Sequence, residues 1–364
     1  MGLRCGIVGL PNVGKSTLFN ALTAAGIAAE NYPFCTVDPN TGVVPVPDPR
    51  LAELDRFVHA TRVIPTAVEL VDIAGLVRGA SRGEGLGNQF LGHIREVDAL
   101  CHVVRCFEDS AVVHVEGGLH PLRDIETIET ELGLADLESV ARRLDRARRA
   151  AKSGDKAARA EADFFASLEA HLSAGRPAHS HPVPDELASA LRECHLLTAK
   201  PVLYVANVDE SALAAGNEHS AAVERWAAEQ GAQAIRLCGK IEAELAQLEA
   251  EEKQAFLDEL GLKEPGLARL ARAVYRLLDL VTFFTVGPKE TRAWTTRRGA
   301  RAPEAAAEIH SDFERHFIRA EVIAYEDFVA AGGEAAAKAQ GKLRVEGRDY
   351  VVADGDVMHF RVGV

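Results

Sequence analysis

Short apolar runs alternate with helical stretches along the chain. Residues 3–8, 67–73, 99–104, 202–206 and 234–237 are rich in β-branched side chains and bounded by Gly, Pro, Asn or Asp. Strands that are apolar throughout are covered on both faces, so the pattern predicts an α/β fold around a mostly parallel sheet. The rhythm breaks between about 124 and 173, a stretch rich in Ala, Leu, Arg and Glu. Leu137 and Leu144 there lie seven apart, and Phe164, Phe165, Leu168 and Leu172 form a second helical pattern. Ser153-Gly154-Asp155 between them reads as a turn and helix start, which predicts an inserted antiparallel helical hairpin. Near Val281 the pattern changes again. An apolar run, 281–286, is followed by Gly287-Pro288, a polar loop, a helix over 304–315 and two hairpin-like segments, with Asp354-Gly355-Asp356 as a turn. Together they predict a small α+β domain. The expected boundaries are 1–128 and 197–280 for the α/β core, 129–196 for the insertion and 281–364 for the last domain.

At 364 residues there is room for two or three domains with sizeable cores. Hydrophobic residues at 47% and charged residues at 26% exclude collagen-like and wholly disordered classes. No apolar run approaches the roughly 20 residues of a membrane span. With 41 Lys and Arg against 54 Asp and Glu, the net charge of −13 argues against a protein that coats DNA. The six cysteines show no metal spacing. Cys5 and Cys101 fall in strand-like runs, and no signal peptide precedes the first motif, so a reduced cytoplasmic protein is expected.

Candidate chemistry begins at once. Residues 9–16, GLPNVGKS, match G-x-x-x-x-G-K-[ST] between a predicted strand and a predicted helix. Glycines let backbone N–H groups wrap a phosphate, and the helix N-terminus adds partial positive charge. Contacts to a nucleoside triphosphate are expected from Asn12, Val13, Gly14, Lys15, Ser16 and Thr17. Lys15 would span the β- and γ-phosphates, and the Ser16 hydroxyl would ligate Mg²⁺. Asp72-Ile73-Ala74-Gly75 forms a D-x-x-G element. Asp72 would hold Mg²⁺ through water, and the Gly75 N–H would sense the γ-phosphate. Thr36, between these motifs, is placed to close over the metal as a first switch. Leu76 stands where Ras-like GTPases carry a water-orienting glutamine, so hydrolysis needs another group or is slow. Asn207-Val208-Asp209-Glu210 occupies the place of the guanine-reading N-K-x-D. Its last carboxylate is one methylene too long for the bidentate guanine contact, which favours ATP over GTP. A GTPase of the same fold, or an ATP-gated binding module that does not hydrolyse, are the alternatives.

The phosphate loop, 31–40 (NYPFCTVDPN), 72–76, 83–90 (GEGLGNQF) and 207–210, with 282–295 (TFFTVGPKETRAWT), 309–324 (IHSDFERHFIRAEVIA) and 354–360 (DGDVMHF), resemble the Obg-like ATPases of the YchF type. The resemblance spans nearly the whole chain. It implies an α/β P-loop NTPase G domain with an inserted α-helical hairpin domain and a C-terminal α+β β-grasp (TGS) domain. It further implies an ATPase, slow alone and stimulated by a partner, that associates with ribosomes through rRNA or ribosomal protein. A loop histidine that promotes hydrolysis in the family falls on His114. The Ser16 and Asp72 motifs make Mg²⁺ the expected cofactor, and a K⁺ ion beside Asn12 is the second candidate cation. Two basic runs, 142–149 and 289–301, are candidate RNA contacts within an acidic chain. No membrane, no specific DNA and a monomer are expected. Cys35, next to Thr36, is a candidate for oxidation. The loop of His179-Ser180-His181 is expected to face solvent.

Overall fold

The computed structural model describes residues 3–24, 40–73, 86–109, 118–152 and 154–363. Its strands are β1 (Arg4–Val8), β2 (Thr41–Pro45), β3 (Arg62–Ile64), β4 (Ala67–Asp72), β5 (Ala99–Arg105), β6 (Val202–Asn207), β7 (Gln233–Leu237), β8 (Leu280–Val286), β9 (Glu290–Arg297), β10 (Phe317–Ala324), β11 (Arg344–Glu346) and β12 (Asp356–Val362). They form two six-stranded sheets. The chain divides into two compact units. One holds 69–267 with the N-terminal residues up to 25, and the other holds 43–68 with 268–364.

The first sheet has the strand order β2-β4-β1-β5-β6-β7. Pairing from β4 through β1, β5 and β6 to β7 is parallel, with Ile7 beside Asp72, Ile7 beside Cys101, and Arg105 beside Asn207. All five expected apolar runs are strands, and every residue of β5 is buried. The parallel arrangement puts the ends of β1, β4, β5, β6 and β7 on one edge, where α/β sheets bind ligands. Helix α1 (Lys15–Ala24) leaves directly from the first of these ends.

His102, on β5, is 3% exposed, with its ring 5.6 Å from that of Tyr204. Burial pushes its pKa from 6.5 down to about 4, so the folded chain keeps it neutral where the unfolded chain takes up a proton. The stability from keeping it neutral is present above pH 6.5 and is lost as pH falls toward 4. His102→Asn is expected to remove about 2 kcal/mol of the destabilisation between pH 7 and 5. Denaturant titrations of both proteins at the two pH values check this.

The insertion is a helical hairpin. After α2 (Pro49–Asp55) and α3 (Leu86–Glu96), helix α4 runs Pro121–Ala151 and α5 runs Lys156–Ser173. Asp155 caps α5 by accepting from the Ala157 N–H at 2.9 Å, and Gly154 takes φ 87° in the turn. Val140, Leu144, Ala147, Phe164, Phe165, Leu168 and Leu172 make the hairpin's own core. At the root of α4, Ile125 joins the core beneath β5 and β6, and Tyr204 donates to Glu129 at 2.5 Å. Buried Asp136 takes the Leu197 and Thr198 N–H groups and the Thr198 hydroxyl, at 2.7, 2.8 and 2.7 Å, which ties the returning chain to α4. In that return His179 and Ser180 are exposed, as expected, while half-buried His181 bonds Ser167 at 3.0 Å.

The second unit carries the order β11-β10-β12-β8-β9-β3. β8 and β9 are an antiparallel hairpin with Phe283 opposite Trp294, β12 lies parallel to β8, and β10 lies antiparallel to β12. The polar loop expected after Gly287-Pro288 is instead strand β9. Its Ala293 and Thr296 are buried, Arg292 stacks 4.0 Å over Trp294, and Trp294 donates to Thr285 at 2.8 Å. The charges thus ride on a strand whose other side chains pack. The edge strand β3 pairs parallel with β9, and Leu51 and Leu54 of α2 pack with Phe284, Ile323 and Phe328. Residues 43–68, far upstream in the chain, therefore belong to the core of this unit. Arg50 binds Asp354 at 2.8 Å, and Asp354 accepts the Thr282 N–H at 2.8 Å.

Candidate functional site

The phosphate loop is built at the end of β1. Asn12 and Gly14 take positive φ, 65° and 90°, and Leu18 N–H closes the first turn of α1 on Gly14 O at 3.0 Å. A Cβ at Gly9 would come to 2.7 Å from the Val103 carbonyl, and one at Gly14 would collide with the Asn207 side-chain amide. Gly9 is thus required by a close backbone approach, and Gly14 by its positive φ and by the Asn207 side chain. Lys15 is 8% exposed and its Nζ lies 2.6 Å from Asp72 Oδ1, so the structure brings two sequence-predicted site residues together. Ser16 and Thr17 present their side chains at the surface.

Asn207 joins three loops that are distant in sequence. Its Nδ2 donates to Val13 O at 2.9 Å, its Oδ1 accepts from the Gly239 N–H at 2.9 Å, and its backbone O accepts from the Cys106 N–H at 2.8 Å. Asn207 is 4% exposed. The phosphate loop, the end of β5 and the start of the helix Gly239–Leu245 are therefore fastened to one side chain and its own carbonyl. Val208 is buried in the core, and its N–H bonds Leu237 O at 2.9 Å. Cys238, where GTPases tend to carry serine, is buried, and burial pushes its thiol pKa up.

The base-reading loop turns sharply after Val208. Asp209 caps the short turn Glu210–Ala212, accepting from the Ser211 hydroxyl at 2.5 Å and from the Ala212 N–H at 3.0 Å. The Ser211 hydrogen bond, with backbone donors, holds the Asp209 carboxyl below its usual range. Its Oδ1 is thus committed to the loop itself, and Glu210 next to it is exposed.

Two residues that the motifs do not announce support this edge. Arg105, 4% exposed at the end of β5, donates to Phe107 O and Asp109 O, each at 3.2 Å, and lies 4.7 Å over the Phe107 ring. Asn217 donates to Cys106 O at 2.7 Å while capping its own helix. An arginine ending an otherwise apolar strand was the available signal for the first, and an Asn before a helical run for the second. Thr36, Gly75, Leu76, His114 and Cys35 lie outside the described residues. Among the described residues there is no group of three or more His, Cys, Asp or Glu that could hold a metal. The oxygen donors on hand, the exposed Ser16 hydroxyl and the Asp72 carboxylate, are the hard ligands Mg²⁺ takes alongside phosphate and water. No helix among the described residues is long and apolar enough to cross a membrane.

The two basic runs separate in the structure. In the second, Arg292 is buried against Trp294, Arg298 pairs with Asp279 at 2.9 Å and Arg301 with Asp349 at 2.8 Å. This run is not the single exposed patch that its composition suggests, because the strand's packing and local carboxylates take up its charge. In the first, Arg143 pairs with Glu161 and Glu193 and Arg142 with Glu138, while Arg146, Arg148 and Arg149 are exposed.

Comparison with known proteins agrees with this architecture. The family described as 50S ribosome-binding GTPase matches residues 4–138, and the YchF-GTPase_C family, described as a protein of unknown function, matches 280–363. The chain is 55% identical to the ribosome-binding ATPase YchF of Bacillus subtilis and 57% identical to that of Haemophilus ducreyi, in each case over all of both chains. The chain belongs to the YchF family. The solved YchF GTPase of Schizosaccharomyces pombe superposes with a TM-score of 0.89 at 36% identity, covering 99% of this chain and 98% of that one. Obg-like ATPase 1 of Gallus gallus is 44% identical over 99% of the chain and 92% of its own length. The YchF relatives thus share the helical insertion and the C-terminal unit as well as the P-loop core.

Proposed function

We propose that this YchF chain is an ATP-hydrolysing switch that works on ribosomes. The observation that carries the nucleotide preference is the base-reading loop. Asp209 Oδ1 is occupied by Ser211 and Ala212, and the fourth position is the longer, exposed Glu210. A guanine needs a carboxylate that accepts from both N1–H and the 2-amino group, and adenine makes no such demand. The curated relatives carry the name ribosome-binding ATPase, whereas the solved relative is titled a GTPase. The local geometry favours the first.

In this reading the phosphate-loop N–H groups and Lys15 hold the β- and γ-phosphates, with Asn207 keeping the loop in register with the base site. The Ser16 hydroxyl and the Asp72 carboxylate would hold Mg²⁺, which would neutralise phosphate charge when bound. K⁺ beside Asn12 is the second cation of the proposal. Thr36 and the Gly75 N–H respond to the γ-phosphate and serve as the two switches. Leu76 cannot orient water, and His114, whose imidazole can accept a hydrogen bond from water, takes that role. Turnover is accordingly slow alone and rises with a ribosomal partner. The C-terminal unit is a TGS-type β-grasp module, and the protein acts as a cytoplasmic monomer.

The test is a parallel titration of ATP and GTP by calorimetry. ATP is expected to bind at least tenfold more tightly, a difference of about 1.4 kcal/mol. Equal or tighter GTP binding overturns the assignment.

A further inference from the structure

The turn from Leu197 to Lys200 bonds three separate elements of the first unit, and the nucleotide chemistry uses none of these bonds. Its Lys200 N–H closes the turn on Leu197 O at 3.3 Å. On one side stands Asp136 of α4, 1% exposed, which accepts from the Leu197 and Thr198 N–H groups and from the Thr198 hydroxyl. On a second side the Thr198 hydroxyl accepts from the Ala178 N–H at 2.9 Å, and Thr198 O from the His179 N–H at 3.2 Å. Leu196, just before the turn, packs in the hairpin's own core. The turn thus holds both α4 and the chain that returns from α5. On the third side the half-buried Lys200 ammonium donates to Arg95 O at 3.3 Å and to Val97 O, at the C-terminal end of α3.

Helix capping accounts for only part of this. A cation is favoured at a helix C-terminus, but α3 already carries His93 and Arg95 in its own last turn. Lys200 comes instead from about a hundred residues downstream, out of an element fastened to the hairpin. Burial pushes its pKa down, and Asp98 and Asp136 oppose that shift. The same Asp136 carboxylate therefore grips the turn by hydrogen bonds and attracts the ammonium that caps α3. The placement of α3 gives the contact its meaning. This helix begins within 83–90, the stretch that follows the D-x-x-G element, and its 11 residues span about 16 Å. A packed helix shifts as a unit by an ångström or two, so a change at its first turn reaches its last carbonyls.

We propose that the turn from Leu197 to Lys200 couples α3 to the inserted hairpin, with Lys200 as the positioning residue. A shift of α3 makes or breaks the Lys200 bonds to Arg95 O and Val97 O. Thr198 and Asp136 pass the change to the return chain and to α4. The hairpin thereby senses which nucleotide is bound without touching it. This rests on the switch reading for the movement of α3 and adds the route by which that movement leaves the nucleotide site.

Hydrogen exchange on the full-length chain tests it, with Mg²⁺ and saturating ADP or a non-hydrolysable ATP analogue, each shown by calorimetry to be bound. In the wild-type chain the exchange rates at Ala178, Leu197 and Thr198 are expected to differ at least about threefold between the two nucleotides. Lys200→Met keeps most of the stem and removes the ammonium. It is expected to bring the two rates within about 1.5-fold of each other while ATP affinity stays within about twofold. Lys200→Arg supplies a cationic donor again and is expected to restore the difference. Thr198→Val keeps every charge, and so tests the route even where Lys200→Met does not fold. It is expected to abolish the nucleotide response at Ala178 and to leave it at Leu197. A purely structural Lys200 gives faster exchange in both nucleotides with the ratio between them kept, and that result overturns the proposal. So does a wild-type chain whose exchange is the same with either bound nucleotide. A response to a GTP analogue, in a chain that does not bind the ATP analogue, retains the coupling and rejects the ATP reading.

Discussion

Asn207→Ala is expected to uncouple the phosphate loop from the base-reading edge. The substitution removes the donor to Val13 O and the acceptor of the Gly239 N–H, both at 2.9 Å and both buried. Leaving two such groups unsatisfied costs about 2–5 kcal/mol in total. Part of that cost falls on the stability of the first unit and part on ATP affinity, which is expected to drop at least tenfold. Lys15 is still present in the variant, so residual binding retains its charge contribution. Hydrogen exchange locates the effect. Faster exchange is expected at Gly239, whose N–H loses its acceptor, and at Leu18, whose N–H closes the first turn of α1. Protection unchanged at both amides, with unchanged ATP affinity, contradicts this role for Asn207.

Gly14→Ala strikes the same junction from the other side. Position 14 sits at φ 90°, where an L side chain is strained, and its Cβ would meet the amide of Asn207. Strain of this kind costs about 1–3 kcal/mol before any displacement of Asn207. Because Asn207 holds Gly239 as well, the damage spreads beyond the phosphate loop. ATP binding is expected to fall by at least a hundredfold, more than for Lys15→Ala, which removes a charge and leaves the loop's shape in place. Titration of the variants with a fluorescent ATP analogue orders them. The reverse order contradicts the argument that loop geometry precedes charge.

The central sheet was legible because its strands are buried on both faces and so are apolar without interruption. The hairpin turn was legible for a similarly local reason, since Gly154 and Asp155 are a positive-φ residue followed by a helix cap. The short strands β2 and β3 and the polar strand β9 were not. Arg292 reads as a surface cation until it is seen stacked on Trp294, and a three-residue edge strand such as β3 carries no periodicity. Nor does the composition of 43–68 reveal that Leu51 and Leu54 pack on Phe284. At the site, the motifs gave Lys15, Ser16, Asp72 and Asn207. The joint they form was hidden because Asn207 and Val13 are 194 residues apart in sequence, and an Asn–carbonyl bond leaves no pattern. Arg105 belongs to no motif, since an arginine at a strand end looks like a strand terminator. Its burial and its two carbonyl partners give it a positioning role.

The central claim is that this YchF chain turns over ATP, not GTP, and does so faster on ribosomes. Phosphate release measures it most directly, with equal concentrations of the two nucleotides, in Mg²⁺, with and without purified ribosomes. ATP is expected to be hydrolysed slowly by the chain alone and at least several-fold faster with ribosomes, while GTP gives little product in either case. Faster release from GTP, or no release from ATP even with ribosomes, contradicts the account.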